Sequence, residues 1–206
     1  MDSFLKKIAQ EIKSRYETPE NICIVLPTKR AAAFLKQELA KVYKKTFWAP
    51  QFFSLDEFVG QYCAYKKQEK LLLVLELYEA YLSVVKGEPE DIGSFLKWAP
   101  TLLSDFSDID RYLIDSNNIF NYINEARALE YWNVNGEALT DAQQNYLHFW
   151  KLLGEIYHAF QNNLKANGKA YPGMQYRHVA NEINEIIKDI KYSKLFFAGF
   201  NALSAS

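Results

Sequence analysis

Polar and apolar positions change period several times along the chain. From Ser3 to Tyr16 the apolar residues Phe4, Leu5, Ile8, Ile12 and Tyr16 recur at the spacing of one helix face. Ser3 is placed to cap that helix, and Pro19 lies just past its end. Asn21–Leu26 is a short β-branched run closed by Pro27, which predicts a buried strand. Thr28 opens a second helix, with Ala31, Ala32, Phe34, Leu35, Leu39 and Val42 on its apolar side. Thr46–Phe53 predicts another strand. Ser54–Cys63 predicts a helix, because Ser54 followed by Glu57 has the form of a capping box.

Beyond Gln68 the pattern is helical for about 100 residues by the 3.6-residue repeat. The predicted helices are Gln68–Val85, Ile92–Phe106, Asn117–Tyr131 and Asp141–Ala166, with Asn167-Gly168 as a stop. Tyr171-Pro172-Gly173 reads as a turn. A helix over Gln175–Ile190 and a strand over Tyr192–Phe200 complete the series. Strands separated by helices favour a parallel sheet, since a parallel return needs a crossover. The expected fold is therefore α/β with a large helical insertion, mostly helical by content. Residues 1–66 form the first α/β part, 67–170 the insertion and 171–206 the return. A last strand so near the end of the sequence suggests a piece of a longer chain.

Net charge is −1, so a nucleic-acid contact would have to come from a local patch. No run approaches the ~20 apolar residues that span a membrane. Met1–Ile8 lacks the layout of a signal peptide. A cytoplasmic protein with no membrane partner is expected. Cys23 and Cys63 form no CxxC pair and read as reduced core residues. Aromatics make up 16% of the chain; at helical spacing they read as core before they read as base-stacking platforms.

Candidate chemistry is concentrated just after the first strand. Ile24–Leu39 reads IVLPTKRAAAFLKQEL: a strand, a Pro-Thr turn and a helix whose first turn carries Lys29 and Arg30. A helix amino terminus exposes unpaired N–H groups and partial positive charge. Thr28 adds a hydroxyl, so the corner suits a phosphate. A capped helix with solvated Lys29 and Arg30 fits the same residues. Lys36 and Arg177 are weaker cationic candidates.

The segment resembles motif Ia of superfamily 1 helicases of the UvrD/RecB type, T-N-K-A-A-x-E-M-x-x-R. Thr28, Lys29, Arg30, Ala31 and Ala32 stand at T-N-K-A-A and Leu35 at the Met. Lys29 replaces the Asn, and Phe34 stands where the family has Glu. In that family the element contacts the backbone of single-stranded DNA. The phosphate loop G-x-x-x-x-G-K-[ST] that normally comes earlier has no counterpart. The lone pair Gly168-Lys169 is followed by Ala170, with Asn163 in the first-Gly position. The strand Leu195–Phe200 resembles the acidic Mg²⁺-holding element, with Ala198 and Gly199 in place of its Asp and Glu. Neither can bind a cation or activate water.

Phe47–Val59 (FWAPQFFSLDEFV) and Trp98–Leu113 (WAPTLLSDFSDIDRYL) extend the likeness. Together the segments resemble the amino-terminal region of AddB-like proteins and of related PD-(D/E)XK (RecB-type) nucleases of Bacteroidetes type. The resemblance implies a truncated, P-loop-type helicase domain: a 1A-like α/β part, a 1B-like insertion and an inactivated ATPase. It implies no catalysis and no cofactor or metal in these residues, the nuclease domain lying beyond them. The implied role is DNA repair or recombination, with single-stranded DNA as partner. The alternative is a docking module for a helicase subunit or for the chain's own nuclease domain, without DNA contact.

Two other groups look chemical. Asp105, Asp108, Asp110 and Asp115 sit among apolar helix positions and read as a solvated acidic face with caps. His148, His158 and His178 lack the i, i+4 spacing of a metal-ligand pair.

Overall fold

The computed structural model describes residues 3–130 and 141–201, the side chains of 124–130 and 141–148 excepted. In chain order the elements are α1 (Phe4–Arg15), β1 (Ile22–Leu26), α2 (Lys29–Tyr43), β2 (Gln51–Ser54), α3 (Leu55–Tyr62), β3 (Lys66–Lys67), α4 (Lys70–Val84) and α5 (Ile92–Phe95). They continue as α6 (Ala99–Arg111), α7 (Ser116–Glu130), α8 (Asp141–Ala166), β4 (Lys169–Ala170), α9 (Pro172–Asn181), α10 (Ile183–Asp189) and β5 (Lys194–Phe197). The protein is mixed α/β and mostly helical, with a small parallel sheet. It divides into two compact units: an α/β unit up to Tyr62 that resumes at Asn181, and a helical unit over Cys63–Ala180.

In the α/β unit three parallel strands lie in the order β2-β1-β5. All of β1 is buried. Ile22, Ile24 and Leu26 pack with Ala9 and Ile12 of α1 and with Ala32, Leu35 and Leu39 of α2. Cys23 and Val25 pack with Phe58 of α3. Helices on both faces explain why β1 is continuously apolar rather than alternating. Each such side chain contributes about 1.5–3 kcal/mol when fully buried. Burial also pushes the Cys23 thiol up to about 11, so it stays protonated and packs as an apolar group.

β2 is shorter than the predicted Thr46–Phe53. α2 ends at the left-handed Lys44 (φ 54°), Phe47 stacks on Tyr43 at 4.3 Å, and Pro50 offers no N–H for a ladder. β5 likewise covers only Lys194–Phe197 of the predicted Tyr192–Phe200. The predicted capping box is present: Ser54 N donates to Glu57 Oε2 at 3.0 Å, and Glu57 N donates to Ser54 Oγ at 3.4 Å.

The helical unit is built on α4, α6 and α8, whose Leu77, Phe106 and Phe160 are fully buried. The single helix predicted over Ile92–Phe106 is two, α5 and α6. Pro100 sits in the first turn of α6, where its missing N–H costs nothing, and a helix running through it would lose a bond. The two-residue ladder of β3 and β4 has no periodicity to betray it in the sequence. It is closed by Lys66 N donating to Gly168 O at 2.9 Å and Gln68 N donating to Ala170 O at 3.0 Å. Gly168, at φ 65°, ends α8 as its sequence suggests.

Tyr171-Pro172-Gly173 is not a turn. Tyr171 is fully buried, and Pro172 is the first residue of α9, a position suited to its fixed φ. A Cβ on Gly173 would lie 1.9 Å from the Ser107 carbonyl oxygen, so only glycine lets α9 approach α6 this closely. The helix predicted over Gln175–Ile190 is also two, because α9 belongs to the helical unit and α10 to the α/β unit.

The acidic cluster divides as well. Asp115 caps α7, accepting from Asn118 N at 2.9 Å. Asp110 is not part of a solvated face: it is fully buried. Its Oδ1 accepts from Tyr157 Oη at 2.5 Å and Arg177 Nε at 2.6 Å. Its Oδ2 accepts from Gln161 Nε2 at 2.9 Å and from Tyr171 Oη. Arg177 Nη2 also donates to Ile109 O at 2.9 Å and Ile114 O at 2.7 Å. A buried carboxylate is tolerated only when so satisfied. Burial first, and the Asp110 charge second, push the Tyr157 and Tyr171 phenols up, which keeps both as donors. Arg177, a weak DNA candidate by sequence, is committed to this network.

Replacing Arg177 by Met keeps the stem and removes the charge, leaving Asp110 buried without its cation. Urea unfolding of Arg177→Met is expected to show a loss of about 3–5 kcal/mol, and Asp110→Asn/Arg177→Met a smaller loss than the single change. Gly173→Ala is expected to cost about 1–3 kcal/mol through the forced displacement of α9 from Ser107.

Candidate phosphate-binding corner

The three strand ends place the candidate residues. In a parallel sheet all carboxyl ends lie on one edge, and β1 is flanked by both neighbours. Leu26 is paired with Ser54, so the Pro27–Thr28 turn lies beside the turn into α3. On the other side Ala198 N donates to Val25 O at 3.1 Å, prolonging the ladder past β5. Open parallel sheets commonly bind ligands at this edge.

Thr28 is the N-cap of α2. Its extended backbone (φ −143°, ψ 152°) lets its Oγ1 accept from Ala31 N at 3.2 Å. The hydroxyl therefore holds one of the unpaired amides of the first turn and leaves its own hydrogen to donate elsewhere. The amides of Lys29 and Arg30, first and second in the helix, precede any intrahelical acceptor.

Lys29 does not stand in solvent alone. Its Nζ lies 2.5 Å from Glu57 Oε1, so one carboxylate both caps α3 and partners the lysine. Hydrogen bonding from Lys29, then from Ser54 N–H, holds the Glu57 carboxyl down at about 2. Glu57 is thus ionised throughout the neutral range. Arg30 lies over the Phe34 ring, 5.6 Å from its centroid, a cation–π contact at the exposed surface. Phe34 thereby supports the neighbouring cation.

Between α2 and β2 lies a cleft of about 250 Å³, lined among others by Lys29, Lys36, Phe52, Ser54 and Glu57. Lys36 Nζ sits 5.0 Å from the Phe52 ring centroid. The structure thus brings Lys29 and Lys36 together in this cleft, while Thr28 caps the helix and Arg30 lies over Phe34 outside it. Ala198 and Gly199 lie on the other side of β1. Ala198 packs against the α1/α2 core, and Gly199 takes φ 81° with Phe4 and Pro27 nearby. Neither carries an oxygen on its side chain.

Glu57 is a residue of the candidate site that the sequence shows only as a cap. Its partnership with Lys29 depends on strand register, and no local pattern encodes that. Elsewhere, His158 Nε2 lies 3.2 Å from Asn117 Oδ1 and His178 packs edge-on to Tyr65; the side chain of His148 falls outside the described residues. Among the described residues no group of three His, Cys, Asp or Glu side chains is placed to hold a metal, and no helix is long and apolar enough to cross a membrane. No known protein family and no curated protein sequence matches the chain.

The carboxyl of Glu57, followed by NMR through an acid titration, is expected to titrate near 2. In Lys29→Met its midpoint rises towards the ordinary 4.5 but stays below it, because Ser54 N–H still donates. A depressed carboxyl stabilises the fold above its unfolded pKa, and that stability is lost as pH falls from about 4.5 to about 2. For so exposed a pair the contribution is about 0.5 kcal/mol. An unchanged midpoint in Lys29→Met would mean that the ion pair does not form in solution.

Proposed function

We propose that this chain is a non-catalytic, helicase-like arm of a DNA-repair or recombination nuclease, and that it holds the phosphate backbone of single-stranded DNA at Thr28, Lys29 and Arg30. The observation that carries the reading is the corner itself: a capped helix amino terminus, at the carboxyl end of the central strand of a parallel sheet, bearing two successive cations. The first-turn amides and the Thr28 hydroxyl donate to phosphate oxygens. Arg30 and Lys29 supply the charge whose neutralisation releases counterions. Ala198 and Gly199 offer no ligand for Mg²⁺, in keeping with an arm that guides a strand without hydrolysing ATP.

Glu57 sets the strength of the contact. It competes with phosphate for Lys29, so binding is weak until a phosphate displaces it. A weak, salt-sensitive grip suits a surface along which a strand must slide.

A second reading is favoured by a separate observation. No residue of α10 is buried, and Ile183, Ile187 and Phe197 are 41%, 57% and 51% exposed. Apolar surface of this kind suits docking to a helicase subunit or to the chain's own nuclease domain. In that reading Lys29 and Glu57 are a structural pair and DNA is not bound.

Fluorescence anisotropy of a labelled single-stranded oligonucleotide at two salt concentrations separates the readings. The DNA-holding arm predicts salt-sensitive binding that Lys29→Ala/Arg30→Ala abolishes. It also predicts that Glu57→Gln tightens binding by about two- to fivefold, since the competing anion is gone. Absence of binding at low salt, or indifference to both variants, would overturn the phosphate corner in favour of docking.

A further inference from the structure

The helical unit contains a cleft of about 420 Å³, a volume typical of small-molecule sites. Its apolar wall includes Trp98 and Leu102, at the start of α6 and within it, and Phe149 and Trp150 of α8. The rings are set at angles to one another. Trp98 and Phe149 meet edge to face at 5.4 Å and 87°, and Phe149 and Trp150 at 5.8 Å and 74°. Trp98 is fixed further, because its indole N–H donates to Glu90 Oε2 at 3.0 Å.

Among the described residues, the charged groups lining the cleft are two acids, Glu90 and Asp105. That decides the ligand class. An anion, a nucleotide phosphate included, would be repelled. A neutral hydrocarbon would fill the aromatic wall but cover carboxylates without compensating them. A cation with small alkyl groups satisfies both features, since ring faces attract cations within about 6 Å and carboxylates attract them at longer range. Burial, with Asp108 second, already holds the Asp105 carboxyl above its ordinary value, so a neighbouring cation would relieve it.

We propose that this cleft is a binding site for a small alkylated ammonium ion, held against the aromatic wall of Trp98, Phe149 and Trp150 and beside the carboxylates of Glu90 and Asp105. The site is distinct in charge and chemistry from the corner at Thr28 and does not depend on the DNA reading.

Choline is a suitable probe, with 3,3-dimethylbutan-1-ol as its neutral isostere. Isothermal titration of the full chain is expected to show saturable choline binding, accompanied by a shift of the Trp98 indole N–H resonance. The neutral alcohol is expected to bind about tenfold more weakly, the loss of one cation–π and carboxylate contact. Glu90→Gln/Asp105→Asn removes the charge while keeping shape and an acceptor for Trp98. It is expected to weaken choline about fivefold or more, with far-UV circular dichroism unchanged. Equal affinity for the alcohol, an unaffected double variant, or no saturable heat at millimolar choline would each overturn the proposal.

Discussion

The α/β unit depends on the complete burial of β1. Five residues whose side chains point alternately up and down are all withdrawn from water. That is achieved only if helices cover both faces, and α1 and α2 on one side and α3 on the other do so. Parallel neighbours on both edges satisfy the strand's backbone groups. With so much fixed, the chain can leave β1 at one place only, the Pro27–Thr28 turn. The candidate corner is therefore a consequence of the core rather than a feature added to it.

The same constraint explains the electrostatics there. Parallel register aligns Leu26 with Ser54, and the capping box that starts α3 then delivers Glu57 to Lys29. A residue selected by local helix chemistry becomes the counter-ion of a residue on another element. The helical unit solves a comparable problem internally, where Asp110 of α6 is accommodated because α8, α9 and Tyr171 just before α9 each donate to it. In both places an acid that looks solvent-bound in sequence acts across elements.

What could be read from sequence alone follows from how local each signal is. β1, α2, the Ser54–Glu57 box and the Gly168 stop rest on patterns within a few residues, and all are present in the structure. The breaks between Phe95 and Ala99 and after Asn181 are hidden in the sequence because the apolar period runs on across them. The start of α9 at Pro172 was misread because proline and glycine mark turns as often as helix starts. Asp110 was misread because its four partners lie 47 to 67 positions away. The pairing of β3 with β4 involves two residues a side and leaves no periodic trace. The position of Thr28, Lys29 and Arg30 at a strand-to-helix turn was legible; the partner of Lys29 was not.

The proposed phosphate contact is made at the amino terminus of α2. Backbone amide shifts of the full chain, recorded by NMR while a short oligo-thymidine is added, test it most directly. The largest changes are expected on the amides of Lys29 and Arg30 and on Glu57, fading as salt is raised. Changes confined to α10 and β5, or none at all, would contradict it.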